Sequence, residues 1–174
     1  MVTVRPATES DLPGLIELAR RSWLSGFTDA PATFVSDWLA RDFERAWYPR
    51  HWPDMTVAEG GGVLLGVVQP AGDEVNGLWV DSEAQGRGVG TVLLRHAEAA
   101  IAAAGHGRAW LTCSGFNPRG CRFYLARGYH EVGREAKARA GGVVEEMRTY
   151  ARPLPPRADA EPHAAADRGL GSDS

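Results

Sequence analysis

The stretch "VDSEAQGRGVGTVLLRHAEAA", residues 80–100, leads from the end of an apolar strand through a glycine-rich turn into a helix. Gly86, Gly88 and Gly90 fall within five positions, although glycine weakens a helix start because it loses more backbone freedom on ordering. A helix that begins near Gly88 offers unpaired backbone N–H groups and the positive end of its macrodipole. Without Cβ atoms in the way, phosphate oxygens can reach these amides. The turn therefore predicts a phosphate-bearing ligand.

Two common phosphate-binding motifs do not fit this turn. A P-loop needs lysine and then serine or threonine after its last glycine, whereas Gly90 is followed by Thr91 and Val92. The dinucleotide fingerprint Gly-x-Gly-x-x-Gly, started at Gly86, would need a third glycine where Thr91 stands. It would also open a βαβ unit, whereas the strand before this turn closes an antiparallel meander.

Composition and charge narrow the class of protein. The chain has 174 residues, of which 44% are hydrophobic and 24% charged, and this predicts a soluble globular domain with its own core. The net charge is −3 without a basic block, which argues against a nucleic-acid partner. No apolar run approaches the roughly 20 residues of a membrane span, and no signal peptide is apparent. Cys113 and Cys121 form neither a disulfide framework nor a metal-ligand set, so we expect a cytoplasmic protein without a metal.

Hydrophobic periodicity predicts strands and helices along the chain. Helices are expected over 8–23, following a Thr8–Asp11 capping pattern, and over 32–47, with Pro49 and Pro53 bounding the next loop. A helix over 88–104 and a short one over 117–128 complete the helices. The expected strands are 2–7, 54–59, 61–70, 74–81, 108–114, 129–136 and 142–154.

The order of these elements indicates an α/β (α+β) fold. We expect a mixed, mostly antiparallel central sheet flanked by helices, with one crossover after residue 80. The domain is expected to cover residues 1–152. Residues 153–174 contain only Leu154 and Leu170 as large aliphatic side chains, which predicts a disordered C-terminal tail.

The turn itself resembles a loop of a known enzyme superfamily. Gln85, Gly88 and Gly90 fill the pattern Gln/Arg-x-x-Gly-x-Gly/Ala, which resembles the acetyl-CoA pyrophosphate loop of the GCN5-related N-acetyltransferase (GNAT) superfamily. The order of elements over residues 2 to 152 is also that of the superfamily. The resemblance implies that acetyl-CoA is the co-substrate and that these residues bind it: Leu78, Trp79, Val80, Gln85, Gly86, Arg87, Gly88, Val89, Gly90, Thr91 and Asn117. The alternative is a glycine-rich helix entry without a ligand.

A second motif, "NPRGCRFY" at residues 117–124, resembles the superfamily pattern Asn-x-x-Ala-x-x-Phe/Leu-Tyr, with Gly120 in place of alanine. The resemblance implies that Asn117 contacts the pantetheine arm and that Tyr124 hydrogen-bonds the departing sulfur. On one helix face these two residues are about 10 Å apart along the axis. The residues alone also allow simpler roles, because asparagine before Pro118 is a common helix cap and tyrosine commonly packs in cores.

The remaining chemistry is less marked in the sequence. The resemblance implies that Val80 offers its N–H to the oxyanion where its strand separates from the next. Glu74, eleven residues before Gln85, matches a glutamate that serves some members as general base, although a turn residue or a chain of waters are alternatives. Cys121 has no histidine near it in the motif, so we expect direct transfer of the acetyl group rather than a covalent intermediate.

The acceptor is expected to bind near the first two helices. Many aromatic side chains fall in that region: Trp23, Phe27, Phe34, Trp38, Trp47, Tyr48 and Trp52. They suit an apolar wall for a small primary amine, with Asp54 or Glu59 as partner for its charge. The alternatives are a peptide N-terminus as acceptor, or a regulatory module that binds acyl-CoA without turnover. Homodimers are common among proteins that resemble this one, so a homodimer is a further expectation.

Overall fold

The computed structural model describes residues 1–155, which contain seven strands and five α-helices. The strands are β1 (Thr3–Pro6), β2 (Thr56–Gly60), β3 (Val63–Ala71), β4 (Glu74–Val80), β5 (Arg108–Ser114), β6 (His130–Ala138) and β7 (Val144–Pro153). The helices are α1 (Leu12–Gly26), α2 (Ala32–Arg41), α3 (Phe43–His51), α4 (Val89–Ala103) and α5 (Pro118–Leu125).

All seven strands form one sheet in the order β1-β2-β3-β4-β5-β7-β6. Neighbouring strands are antiparallel except β4 and β5, which are parallel because α4 carries the chain across the sheet between them. The predicted fold class is therefore confirmed, including the single crossover after residue 80. The glycine-rich turn lies between β4 and α4, at the carboxyl end of β4.

Helices cover both faces of the sheet because successive strand residues point to opposite faces. In β3, Val67 packs in a core cluster with α1 and α3, whereas the next residue, Val68, packs in a cluster with α4 and α5. Leu93 of α4 and Leu15 of α1 are fully buried in their respective clusters. The two layers hold the site between them.

The prediction of one continuous helix over 32–47 is wrong, because the chain forms two helices there. Asp42 adopts φ 45° and ψ 49°, a left-handed conformation that ends α2 and begins α3. Its carboxylate is bonded by Arg20 from α1 and by Arg45 Nε, the latter at 3.0 Å, so the bend is tied down. Pro49 lies inside α3 rather than in a loop, which also corrects the expectation for that residue.

The end of the described chain is ordered slightly further than predicted. The last strand includes Pro153, and Leu154 is buried with its N–H donating to the carbonyl of Gly107 at 2.9 Å. The domain therefore extends at least to Leu154. The predicted disorder of the tail otherwise concerns residues 156–174, which lie outside the described residues.

Gly66→Ala tests the close packing of α4 on the sheet. A Cβ at Gly66 would lie 2.8 Å from Leu93 Cδ1 and 2.9 Å from the carbonyl oxygen of Trp79, which cannot move without shifting β4. We expect the free energy of unfolding in urea to fall by about 1–3 kcal/mol. Gly107→Ala is the control, since a Cβ there meets nothing within 4 Å. Equal stability of the two variants would contradict this packing.

Candidate active site

The site is a cleft that opens where β4 and β5 separate. Glu74 and Trp110 form the one residue pair between these strands, and Trp110 also donates its main-chain N–H to Asp73 O at 3.0 Å. Beyond that pair, the rest of β4 and the end of β5 line a cavity of about 1010 Å³. The separation that the resemblance implied is therefore present. It leaves main-chain groups of two strands free to meet a ligand.

The glycine-rich turn lies at the mouth of this cavity. Gly86 and Gly88 have φ of 76° and 85°, values that glycine adopts without strain, and Gly88 caps α4. Within the described chain, the main-chain amides from Gly86 to Thr91 donate no hydrogen bond. Gly86, Gly88, Gly90 and Thr91 line the cavity. These amides, together with the helix dipole, form a site for an anion.

Hydrogen bonds of two side chains, Asp81 and Gln85, hold the turn in place. Asp81, buried at the end of β4, accepts hydrogen bonds from Arg21 Nε at 3.0 Å and from the Glu83 N–H at 3.0 Å. Gln85 Nε2 donates to Ser25 Oγ at 3.0 Å and to the carbonyl of Val80 at 3.1 Å. The side chain of Gln85 thus ties the turn to α1 and β4, whereas its predicted role was contact with the coenzyme.

Two arginines that the motifs did not indicate lie beside the turn. Arg119 donates to Gln85 Oε1, and Arg127 donates to Thr91 Oγ1 at 2.6 Å with its guanidinium 3.6 Å from the centre of the Phe123 ring. Both line the cavity. They place positive charge next to the free amides, as a phosphate site requires. Arg119 lies within the second motif and Arg127 lies three residues beyond it, so the available signal was their proximity to that motif in the sequence.

The predicted oxyanion donor already has a partner. The N–H of Val80 points away from β3 and donates to the hydroxyl of Ser22 at 3.2 Å. Ser22 is a buried residue of α1 and also lines the cavity. The amide is therefore aimed across the gap, and a ligand carbonyl would take the place of a serine oxygen there.

Asn117 and Tyr124 lie on the same wall of the cavity, at the two ends of α5. Asn117 caps the helix, because its Oδ1 accepts the Gly120 N–H at 2.9 Å. A Cβ at Gly120 would come within 2.7 Å of Asn117 Nδ2, so the glycine leaves room for this side chain. Among the described residues the Nδ2 group donates to none, which leaves it free for a ligand. Asn117 can therefore cap the helix with Oδ1 and contact a ligand with Nδ2 at the same time.

Tyr124 is buried and its hydroxyl has no hydrogen-bond partner in residues 1–155. Burial, followed by the nearby Cys113, raises the pKa of Tyr124 well above its ordinary value. The phenol therefore keeps its proton and is available as a hydrogen-bond donor. A donor of this kind suits an atom on which negative charge develops.

Glu74 lies apart from these groups. It begins β4 at the closed end of the cleft, six residues before Val80, and it is not on the wall of the cavity. Burial, and then Asp73, raise the pKa of Glu74. Its position does not support the predicted role of general base. Asp54 and Glu59 are likewise not on the wall, and Glu59 binds Arg5 at 2.7 Å.

Cys113 and Cys121 are buried free thiols whose sulfurs are 3.6 Å apart. Cys113 lines the cavity and Cys121 does not. The hydrogen bond with Cys121, followed by burial, raises the pKa of Cys113, so the thiol that faces the cavity stays protonated. The hydrogen bond with Cys113 lowers the pKa of Cys121 to about 6, but this more acidic thiol does not reach the cavity.

Aromatic rings line the other part of the cavity, between α1, α2 and α3. Six of the seven aromatic residues predicted for the acceptor region are on its wall: Trp23, Phe27, Phe34, Trp38, Trp47 and Tyr48. Trp23 stacks on Trp38 with ring centres 3.8 Å apart and on Phe27 at 4.3 Å. Trp52 is the exception. The cavity thus joins an anion site at one end to an aromatic chamber at the other.

The described residues contain neither a group of metal ligands nor a helix that could span a membrane. Over 1–155, no three His, Cys, Asp or Glu side chains converge closely enough to hold a metal ion. No helix in that range combines the length and apolar character needed to cross a bilayer.

Comparison with known families identifies this arrangement. The sequence profile described as "Acetyltransferase (GNAT) family" matches residues 12–129. The chain belongs to the GNAT family of acetyltransferases. The acyltransferase class expected from the two motifs is thereby confirmed. No curated protein matches the chain.

Solved structures share the GNAT fold with this acetyltransferase. A protein described as a GCN5-related N-acetyltransferase from Rhodopseudomonas palustris has a TM-score of 0.77 and 21% identity, over 87% of this chain and 95% of its own. PaiA N-acetyltransferase from Thermoplasma acidophilum, solved with coenzyme A, has a TM-score of 0.65 and 20% identity over 86% and 99%. Nourseothricin acetyltransferase has a TM-score of 0.53 and 28% identity over 59% and 67%.

Ser22→Ala tests whether the Val80 amide depends on the serine hydroxyl. The variant leaves this partly buried N–H without a partner, which costs about 1 kcal/mol. We expect thermal unfolding to occur about 2–4 °C lower. In the control Ser25→Ala, Gln85 Nε2 keeps its bond to the Val80 carbonyl, so a smaller loss is expected. A Ser22→Ala protein as stable as the control would contradict the assignment.

Proposed function

We propose that this acetyltransferase uses acetyl-CoA and transfers the acetyl group directly to a primary amine of a small molecule. The observation that carries the proposal is the run of free amides from Gly86 to Thr91 at the mouth of a cavity that also reaches Val80 and Tyr124. A diphosphate fits the amides, and an extended arm fits the gap between the strands.

The residues of the cleft divide the binding of acetyl-CoA among them. The turn amides and the adjacent Arg119 and Arg127 bind the diphosphate. Residues 78–80 offer the free edge of β4 to the pantetheine arm, and Asn117 Nδ2 donates to it from the opposite wall. PaiA N-acetyltransferase, which shares this fold, was solved with coenzyme A, and this supports coenzyme A as the ligand of the cleft.

The transfer step follows from the groups around the thioester. The neutral amine attacks the acetyl carbon, the C–N bond forms and the C–S bond breaks. The nitrogen loses one proton to water, and the sulfur leaves as a thiolate. The oxyanion replaces the Ser22 hydroxyl as acceptor of the Val80 N–H, and this hydrogen bond stabilises it. No general base is assigned, because Glu74 lies at the closed end of the cleft.

Tyr124 acts on the leaving sulfur as a hydrogen-bond donor. A tyrosine proton is bound more tightly than a thiol proton already at ordinary pKa values of about 10 and 8.5, and burial widens this difference. Full proton transfer to the thiolate is therefore uphill. The hydrogen bond strengthens as charge accumulates on sulfur, which lowers the barrier without moving the proton.

The shape of the acceptor end favours a small molecule over a peptide. Its aromatic chamber is part of a cavity of about 1010 Å³, at the upper end of the size range of small-molecule sites. A peptide N-terminus would fill this space only with its first side chains. The cytoplasm as location and a homodimer remain predictions.

Tyr124→Phe tests the role of the phenol. Loss of a hydrogen bond to a charged atom, worth about 1.5–3 kcal/mol, should lower kcat about 10- to 100-fold, with little change in KM for acetyl-CoA. Release of free thiol is the measurement. Tyr129→Phe is the matched control, because Tyr129 is equally buried, its hydroxyl is unpartnered among the described residues and it does not line the cavity. An unchanged rate in Tyr124→Phe would remove this residue from the mechanism.

Thiol release also separates the proposed function from its alternatives. We expect turnover of acetyl-CoA with small arylalkylamines at rates above those with peptides of free N-terminus. Turnover with peptides alone would show a peptide acetyltransferase. Binding of acetyl-CoA without turnover of any amine would show a regulatory module.

A further inference from the structure

One carboxylate in the aromatic chamber has no cationic hydrogen-bond partner. Three carboxylates line the cavity, namely Asp37, Glu44 and Glu145. Asp37 is bonded by Arg41 at 2.9 Å, and Glu145 is bonded by Arg139. Glu44 is only 3% exposed, and within the described chain its Oε2 has no hydrogen-bond partner. Burying a carboxylate without a hydrogen-bond partner costs free energy, unless a ligand supplies the missing partner.

The groups around Glu44 do not neutralise it. Arg20 acts on it through space, but the guanidinium is bonded to Asp42, and its Nε is itself without a partner among the described residues. Asp42 and Glu17 add negative potential at the same place. Burial, the largest influence, raises the pKa of Glu44. A cation bound beside Glu44 would offset the cost of burial and stabilise the ionised carboxylate.

Aromatic rings line the same space. Tyr48 lies one helical turn after Glu44, on the same face of α3, and Trp47 lies beside it on that helix. Both line the chamber together with the stacked pair of Trp23 and Trp38. Aromatic rings attract organic cations to their faces and also accept an apolar body. A buried carboxylate among aromatic rings is thus suited to an organic ammonium ion.

We propose that Glu44 binds the acceptor as an organic ammonium ion with an apolar or aromatic body, and that this ion gives up one proton to water before its neutral amine attacks. The inference rests on the proposed function for the identity of the acceptor, but the binding can be measured without turnover. Asp54 and Glu59, the carboxylates expected from the sequence, are replaced in this role by a residue of α3.

Calorimetric binding to the ligand-free protein tests this proposal. The probes are arylalkylammonium ions with one to three methylene groups, 2-phenylethylammonium among them, and their neutral alcohol counterparts such as 2-phenylethanol. We expect the wild-type protein to bind the cations more tightly than the alcohols. Glu44→Gln should weaken binding of the cations by about 10-fold or more and leave binding of the alcohols unchanged.

Asp37→Asn is the matched control, because Asp37 lines the same cavity but already has Arg41 as partner. We expect it to change cation binding less than twofold. Glu44→Gln should unfold at the same temperature as the wild type or higher, since removing an unpartnered buried charge breaks no bond. A large loss of stability would show that Glu44 is a structural partner of Arg20 and would overturn the proposal.

Two further outcomes would also overturn it. One is equal binding of cations and alcohols to the wild type, or no binding of any cation. The other is the same loss of cation binding in both variants. Failure of the proposed function is distinguishable, because it would appear as absent thiol release from acetyl-CoA while the wild type still prefers cations.

Discussion

Six consecutive main-chain amides, from Gly86 to Thr91, have no hydrogen-bond acceptor in the described part of the chain, and the rest of the site depends on them. They remain free because two left-handed glycines shape the turn and because α4 starts there without a side-chain cap. Asp81 and Gln85 fix the turn from behind, so the amides keep their direction without closing on themselves. An anion at this position gains several donors together with the helix dipole.

The anion site matters for catalysis only because it is continuous with the gap between β4 and β5. One pair, Glu74 with Trp110, holds these strands together, and the edge of β4 beyond it faces the cavity. Ser22 satisfies the Val80 amide in the ligand-free protein, which avoids an unpartnered buried N–H while keeping it aimed at the gap. The same cavity extends from the anion site past Tyr124 to the aromatic chamber.

Local sequence signals predicted the parts of the structure that local interactions determine. The capping pattern at Thr8, the glycine-rich turn and the cap at Asn117 are all short-range features, and each lies where the sequence placed it. The break at Asp42 was missed because it depends on Arg20, which is 22 residues away in the chain. Proline usually marks a helix boundary, so the sequence predicts a boundary at Pro49, whereas the residue lies inside α3.

The site residues that were missed depend on tertiary packing. Arg119 and Arg127 reach the turn only because α5 packs beside the start of α4. Glu44 reads in the sequence as an ordinary helix-surface charge, and its burial follows from the packing of α3 against α1. Glu74 matched a family spacing, yet its strand position takes it to the closed end of the cleft.

The central claim is that the turn amides themselves bind the diphosphate of coenzyme A. Amide resonances of the isotope-labelled protein, followed during titration with coenzyme A, test this most directly. We expect the N–H signals of residues 86–91 to move most, in proportion to the ligand bound. Signals of these residues that stay in place, while coenzyme A binds elsewhere or fails to bind at millimolar concentration, would contradict it.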